Sequence, residues 1–128
     1  MTVVIDASVW LDAVTGRLPT GSLPTAPTVP ALFDAEVLSG LRGLVRGGHL
    51  EAQVAVRQVR TLERAPLLRV PVAELLSTAW PLSAAVSAYD ACYVALAARE
   101  DAELHTADAR LARGAAGLCA VRLLAHGT

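Results

Sequence analysis

The sequence predicts an α/β domain in which helices cover both faces of a short, mainly parallel sheet. Three observations predict it. Short apolar runs of strand length alternate along the chain with helical stretches, the order that parallel α/β units require. Hydrophobic residues make up 54% of the 128-residue chain and charged residues 18%, enough for one domain to bury about two-thirds of its unfolded surface. No internal repeat and no linker divides the chain, so residues 1–128 read as a single domain.

Residues 2–6 are β-branched and apolar and end at Asp6, which reads as a buried strand. Ser8 stands as the N-cap of a short helix over 9–14. Residues 15–30 hold Pro19, Pro24, Pro27 and Pro30 with two glycines and read as a loop, either a functional flap or a disordered segment. Residues 31–46 are helical, with Val37, Leu38, Leu41, Leu44 and Val45 on one stripe, and Gly47-Gly48 ends them. A second helix over 51–64 is stopped by Pro66, and 67–70 follow as a strand. Residues 72–80 form a helix that ends before Pro81. A long apolar helix covers 88–99, then a strand 103–106, a short helix 109–113 and a last strand 120–124.

The charges number 11 basic and 12 acidic, a net −1, which excludes a protein that holds nucleic acid by bulk electrostatics. Every basic residue is Arg; the chain has no Lys. The N-terminus lacks the basic start of a signal peptide, and Asp6 interrupts its apolar run. No uncharged stretch is long enough to span a bilayer without a proline in it, so no membrane association is expected. Cys92 and Cys119 lie far apart with no CxxC pattern and read as two buried free thiols of a cytoplasmic protein.

The acids carry the chemistry. In parallel α/β units, strands end and helices begin at one edge of the sheet, and ligands bind there. Asp6 closes the first strand, Asp108 follows the 103–106 strand, Asp90 opens the long helix, and Asp34 and Glu36 lie in the first turns of the helix over 31–46. Each has a structural explanation alone: Asp90 complements the helix dipole, Asp108 caps the next helix, and Asp6 turns the strand into Ser8. Gathered together they repel by about 4 kcal/mol per close pair at an effective dielectric of 20. Such a cluster persists with raised pKa values or with divalent cations between the acids, and oxygen-only ligands suit Mg²⁺ or Mn²⁺.

Val3-Val4-Ile5-Asp6-Ala7-Ser8, Glu36, Tyr89-Asp90-Ala91-Cys92-Tyr93-Val94-Ala95-Leu96-Ala97 and Leu104-His105-Thr106-Ala107-Asp108-Ala109-Arg110-Leu111-Ala112 together resemble a PIN domain, and more narrowly the VapC ribonuclease toxins of toxin–antitoxin pairs. The resemblance implies a three-layer α/β/α fold and a metal-dependent endoribonuclease acting on structured RNA such as tRNA or rRNA. It matches Asp6, Glu36, Asp90 and Asp108 to the family's acidic quartet around Mg²⁺ or Mn²⁺, with Thr106 as the accompanying hydroxyl. It also implies a homodimer held inactive by a VapB-type antitoxin. The chain departs from the pattern at Ser83 and Ser87, where relatives tend to carry Arg and Thr.

Periodicity and resemblance disagree over the second acid. On a helical wheel Asp34 falls in the Val37/Leu38/Leu41 stripe, whereas Glu36 aligns with Gly40, Gly43 and Gly47. The resemblance selects Glu36, and the glycine row would leave space there for metal and substrate. Arg110 and Arg113 follow Asp108 and are candidate phosphate contacts. Arg57, Arg60 and Arg64 fall at helical spacing and read by default as a solvated helix face, with phosphate contact as the alternative, for which Arg110 and Arg113 are better placed. Trp10, Leu11 and Trp80 read as core or dimer packing; His49, His105 and His126 share no metal-ligand spacing. A receiver domain or a dehalogenase-type phosphatase needs a Lys, and nucleotide-binding glycine loops are absent. The remaining alternative is a catalytically silent PIN-like protein-binding module.

Overall fold

The structure, a computed structural model, describes residues 2–19 and 21–124; His126 lies outside them. Five strands form one sheet in the order β3-β2-β1-β4-β5: β1 (Val3–Ile5), β2 (Thr28–Pro30), β3 (Leu68–Val70), β4 (Glu103–Thr106) and β5 (Ala120–Leu123). All four pairings are parallel. Adjacent residues of β1, Val4 and Ile5, point to opposite faces, and both are fully buried. Helices therefore cover both sides, as expected.

Six helices connect the strands among the described residues: α1 (Ala7–Val14), α2 (Phe33–Arg46), α3 (Ala52–Arg64), α4 (Leu76–Leu82), α5 (Ala88–Arg99) and α6 (Ala109–Ala115). One helical layer is α1 packed on α2; the other is α5, backed by α4 and a 3-10 turn over Val72–Leu75. Every residue from Ala91 to Ala97 is buried, because α5 lies between the sheet and α4 and has no solvent face along this stretch. No helix of the described residues is long and apolar enough to cross a membrane.

Three local expectations change. The proline-rich stretch is not all loop: Thr28–Pro30 forms β2, an interior strand hydrogen-bonded between β1 and β3, with every residue buried. Pro30 is tolerated because it ends the strand, and Ala31 N–H resumes the bonding to Val70 O at 2.8 Å. Pro81 lies inside α4, and the helix runs one residue further, with Ser83 N–H reaching Ala79 O at 3.1 Å. Asp6, not Ser8, caps α1: its Oδ1 accepts from Val9 N–H at 3.2 Å, so the helix starts two residues early.

Packing of α1 on α2 corrects the reading of the glycine row. A Cβ on Gly40 would collide with the Leu11 side chain, so this glycine admits α1 and leaves no room for a ligand. Gly43 has open space beside it, but Gly47 lies against His49.

Candidate active site

Strand register positions the first acid. Val3, Val4 and Ile5 of β1 pair with Glu103, Leu104 and His105 of β4, which sets Asp6 beside Thr106 at the carboxyl edge. Asp6 is only 6% exposed, and both of its oxygens are held. Thr106 donates its hydroxyl to Oδ2 at 2.5 Å and Ser8 donates to Oδ1 at 2.6 Å. Those two hydroxyls are oriented in turn by β4's exit: Ala107 N–H donates to Ser8 Oγ at 3.0 Å and Asp108 N–H to Thr106 Oγ1 at 3.0 Å. Burial raises the Asp6 pKa; the Ser8, Thr106 and Val9 bonds oppose that, and the Asp90 charge adds to it.

Glu36 lies in the first turns of α2. Its Oε1 accepts from the Tyr93 phenol at 2.5 Å. Its pKa is raised by burial, against the Tyr93 bond, and further by the charges of Asp90 and Asp6. Tyr93 is 1% exposed and stays protonated, its pKa pushed well up by burial and by the Glu36 carboxylate. Asp34 turns elsewhere: it takes a two-pronged ion pair from Arg69 of β3, Nε at 2.7 Å and Nη2 at 3.0 Å. Periodicity pointed Asp34 inward, but at the flank of the stripe Arg69 holds it at the surface of the α2–α3 layer.

Asp90 lies in the first turn of α5, where Ser87 Oγ accepts its backbone N–H at 3.1 Å and caps the helix. Its pKa is raised by burial and by Asp108, while the Ser87 bond and the Arg110 charge act the other way. Asp108 caps α6 through Oδ1, which accepts from Arg110 N–H at 2.9 Å and Leu111 N–H at 3.4 Å. Asp90, Ser87 and Arg110 border a hollow of about 360 Å³ together with Val86 and Gly114. Arg113 is exposed and not among the residues that border it.

Asp6, Glu36, Asp90 and Asp108 thus come from four segments to one edge and feel one another's charge. Their donors are all oxygen, the set that suits a hard divalent cation. As the side chains stand, no three acids, histidines or cysteines among the described residues form a ready cage for an ion. His49 is exposed, and His105 on β4 meets Glu103 at 2.7 Å. Cys92 is buried, but Cys119 only half-buried.

Two organising residues were missed in the sequence, Ser8 and Tyr93. The Asp-x-Ser spacing was a usable signal for Ser8, since a hydroxyl two residues past a strand-end acid can fold back onto it. For Tyr93, a phenol in the apolar stretch of α5 that needs a partner when buried gave a weaker one. Trp80 is 79% exposed and no part of the core, unlike Trp10.

A parallel sheet with acids at its carboxyl edge defines a class that comparison identifies. Residues 3–117 match the family model described as PIN domain, and the chain belongs to that family. It belongs more narrowly with the VapC proteins. It is 37% identical over 124 residues to VapC ribonuclease Mb0985 of Mycobacterium bovis and to Ribonuclease VapC9 of Mycobacterium tuberculosis, covering 95% of this chain and 98% of each relative. Ribonuclease VapC1 of Mycobacterium tuberculosis is 33% identical over 132 residues, covering 94% of this chain and 96% of the relative. Among solved structures, PAE2754 from Pyrobaculum aerophilum matches with TM-score 0.64 at 22% identity, covering 94% of this chain and 83% of that one. FitAcB from Neisseria gonorrhoeae matches with TM-score 0.61 at 18% identity, covering 94% and 96%. Both share the fold.

Proposed function

We propose that this chain is the endoribonuclease toxin of a toxin–antitoxin pair, hydrolysing phosphodiester bonds in structured RNA of the tRNA or rRNA class. The observation that carries the reading is the convergence of Asp6, Glu36 and Asp90 from β1, α2 and α5 on one edge, near enough that the Asp90 charge acts on both other carboxyls. Identity of 37% to named VapC ribonucleases across nearly the whole chain supports it.

Asp6, Asp90, Asp108 and Glu36 are the residues that would hold Mg²⁺ or Mn²⁺, and the cation would neutralise charge that builds on the phosphate during in-line attack by water. Ser8 and Thr106 fix both oxygens of Asp6, so that carboxylate needs little reorganisation. Tyr93 occupies Oε1 of Glu36 and leaves Oε2 to orient the attacking water. Attack at phosphorus leaves a 5′-phosphate and a 3′-hydroxyl, with no required part for the 2′-hydroxyl. Arg110, beside Asp90, and Arg113 on the same helix contact flanking phosphates.

The partners follow the same reading: a VapB-type antitoxin, and a second copy of the chain, in the cytoplasm. An apolar groove of about 310 Å³ between α2 and α3, with Leu38 and Val56 exposed and Arg42 and Arg46 on its rim, suits an amphipathic antitoxin segment. Exposed Leu76, Trp80 and Tyr89 suit a dimer contact.

The test is purified protein incubated with total RNA, with EDTA or with Mn²⁺, followed by mapping of cut ends. Cation-dependent cuts bearing 5′-phosphates are expected, lost in Asp6→Asn and Asp90→Asn. Undiminished cleavage in both variants overturns the assignment.

A further inference from the structure

We infer that Arg57, Arg60 and Arg64 of α3, with Trp10 of α1 and Thr61, form a track for the sugar–phosphate backbone of an RNA strand. The inference rests on the ribonuclease reading and deepens it, because it places the substrate outside the acid edge.

The arginines recur at helical spacing and border a hollow of about 530 Å³ with Trp10 and Thr61. A helix face that merely meets solvent would not be concave. The ion pairs among the described residues occupy Arg69 and Arg99 and leave these three unpaired. Glu63, the nearest acid in sequence, faces the other way and lines a separate hollow with Asp34 and Arg69. Like charges at this spacing oppose the helix that carries them, so the row is a local excess of positive charge in a chain whose net charge is −1.

The wall supplies a second observation. Trp10 is 6% exposed, and its indole Nε1–H is buried with no acceptor among the described residues. Buried donors are ordinarily satisfied, and Thr61, whose hydroxyl donates to Arg57 O at 3.1 Å, does not reach it. The guanidinium forks are the free donors of this surface, which phosphate oxygens complement, and the indole ring forms its wall.

Position favours RNA over an acidic peptide. Asp6 caps α1 and Trp10 lies one turn further along the same helix, about 6 Å by its rise. A strand cleaved at the acids and running along α1 therefore meets the arginine row within a few nucleotides. Arg110, the basic group at the acid edge, already acts on Asp90, so grip on the rest of the strand falls to arginines not engaged by acids.

The test measures binding of a short fluorescein-labelled oligouridylate by anisotropy in EDTA, from about 50 to 200 mM salt. The triple variant R57A/R60A/R64A is compared with R122A, at an exposed arginine of β5, and with the lysine triple R57K/R60K/R64K. Circular dichroism melts check that each is folded. Expected are a loss of about tenfold or more in affinity for the alanine triple and a salt slope smaller by about 2, at about 0.7 per phosphate contact. The lysine triple should recover most of the binding, and R122A should bind within about twofold of wild type, since it removes no contact on the track. Unchanged affinity and slope in the alanine triple, with wild type still cleaving RNA, overturn this inference alone. Loss of an aspartate-rich peptide's binding with RNA binding intact assigns the row to a protein partner and overturns it as well. Wild type that neither binds nor cleaves RNA overturns the ribonuclease reading together with it.

Discussion

Tyr93 donates its phenol to Glu36 Oε1 at 2.5 Å, tying the middle of α5 to the first turns of α2. The bond crosses between the two helical layers at the sheet edge and is the one side-chain hydrogen bond of the Glu36 carboxylate among the described residues. Tyr93→Phe keeps the ring and removes only the hydroxyl. It should cost about 1–2 kcal/mol in urea unfolding, the range for a bond to a charged acceptor that water can partly replace. RNA cleavage should fall about tenfold or more, since Glu36 loses its orientation.

Asp34 and Glu36 sit two residues apart and should separate cleanly. Asp34→Asn weakens a half-exposed ion pair, so stability should drop by about 1 kcal/mol or less. RNA cleavage should stay at the wild-type level. Glu36→Gln should abolish cleavage while folding normally, because Tyr93 can still donate to an amide oxygen. Cleavage assays and melts on the two variants decide between the acids.

The raised carboxyls set a pH dependence. Asp6, Glu36 and Asp90 hold protons more tightly folded than unfolded, so the folded state binds more protons as pH climbs through the ordinary carboxylate range. Their contribution to stability is therefore fully present below the ordinary values of 3.8 and 4.5 and is lost as pH rises through the raised ones. In EDTA the wild-type Tm should fall, relative to Asp90→Asn, as pH rises above the ordinary carboxylate range. Added Mn²⁺ should reverse the order, stabilising wild type more than the variant. Scanning calorimetry across pH with and without the cation checks both halves.

Gly40 and Leu11 form a coupled pair. Gly40→Ala in wild type gains about 1 kcal/mol of helix propensity but forces the Leu11 side chain aside, which costs about 1–3 kcal/mol. The net effect should be zero to mildly destabilising. In a Leu11→Ala background the collision is gone, and the same substitution should stabilise by about 1 kcal/mol. A double-mutant cycle in urea reads the change of sign.

The legibility of this chain was uneven for physical reasons. Elements with enough residues to show a period, such as α2 and α5, fell where the pattern put them. Thr28–Pro30 was hidden because a three-residue strand shows no alternation and prolines surround it. The acids were legible since strand ends and helix starts coincide at one edge of a parallel sheet, whatever the tertiary detail. Ser8 and Tyr93 each act through one or two bonds to a residue of another role: the Asp-x-Ser spacing hints at the first, and no spacing announces the second. Gly40 misled for a similar reason: a helical wheel shows which residues share a face, but not that α1 already fills it.

Asp6 serves two masters, the first turn of α1 and the acid edge. A change that removes the side-chain oxygen at this position confounds chemistry with architecture, because a dead enzyme and a frayed helix arrive together; only Asp6→Asn, which keeps an acceptor, avoids this. Asp90 carries no such burden: α5 is capped by the Ser87 hydroxyl, and the aspartate contributes only its backbone N–H to that cap. A catalytically blocked protein for trapping an uncut RNA is therefore better made at Asp90, where the scaffold that receives the strand stays whole.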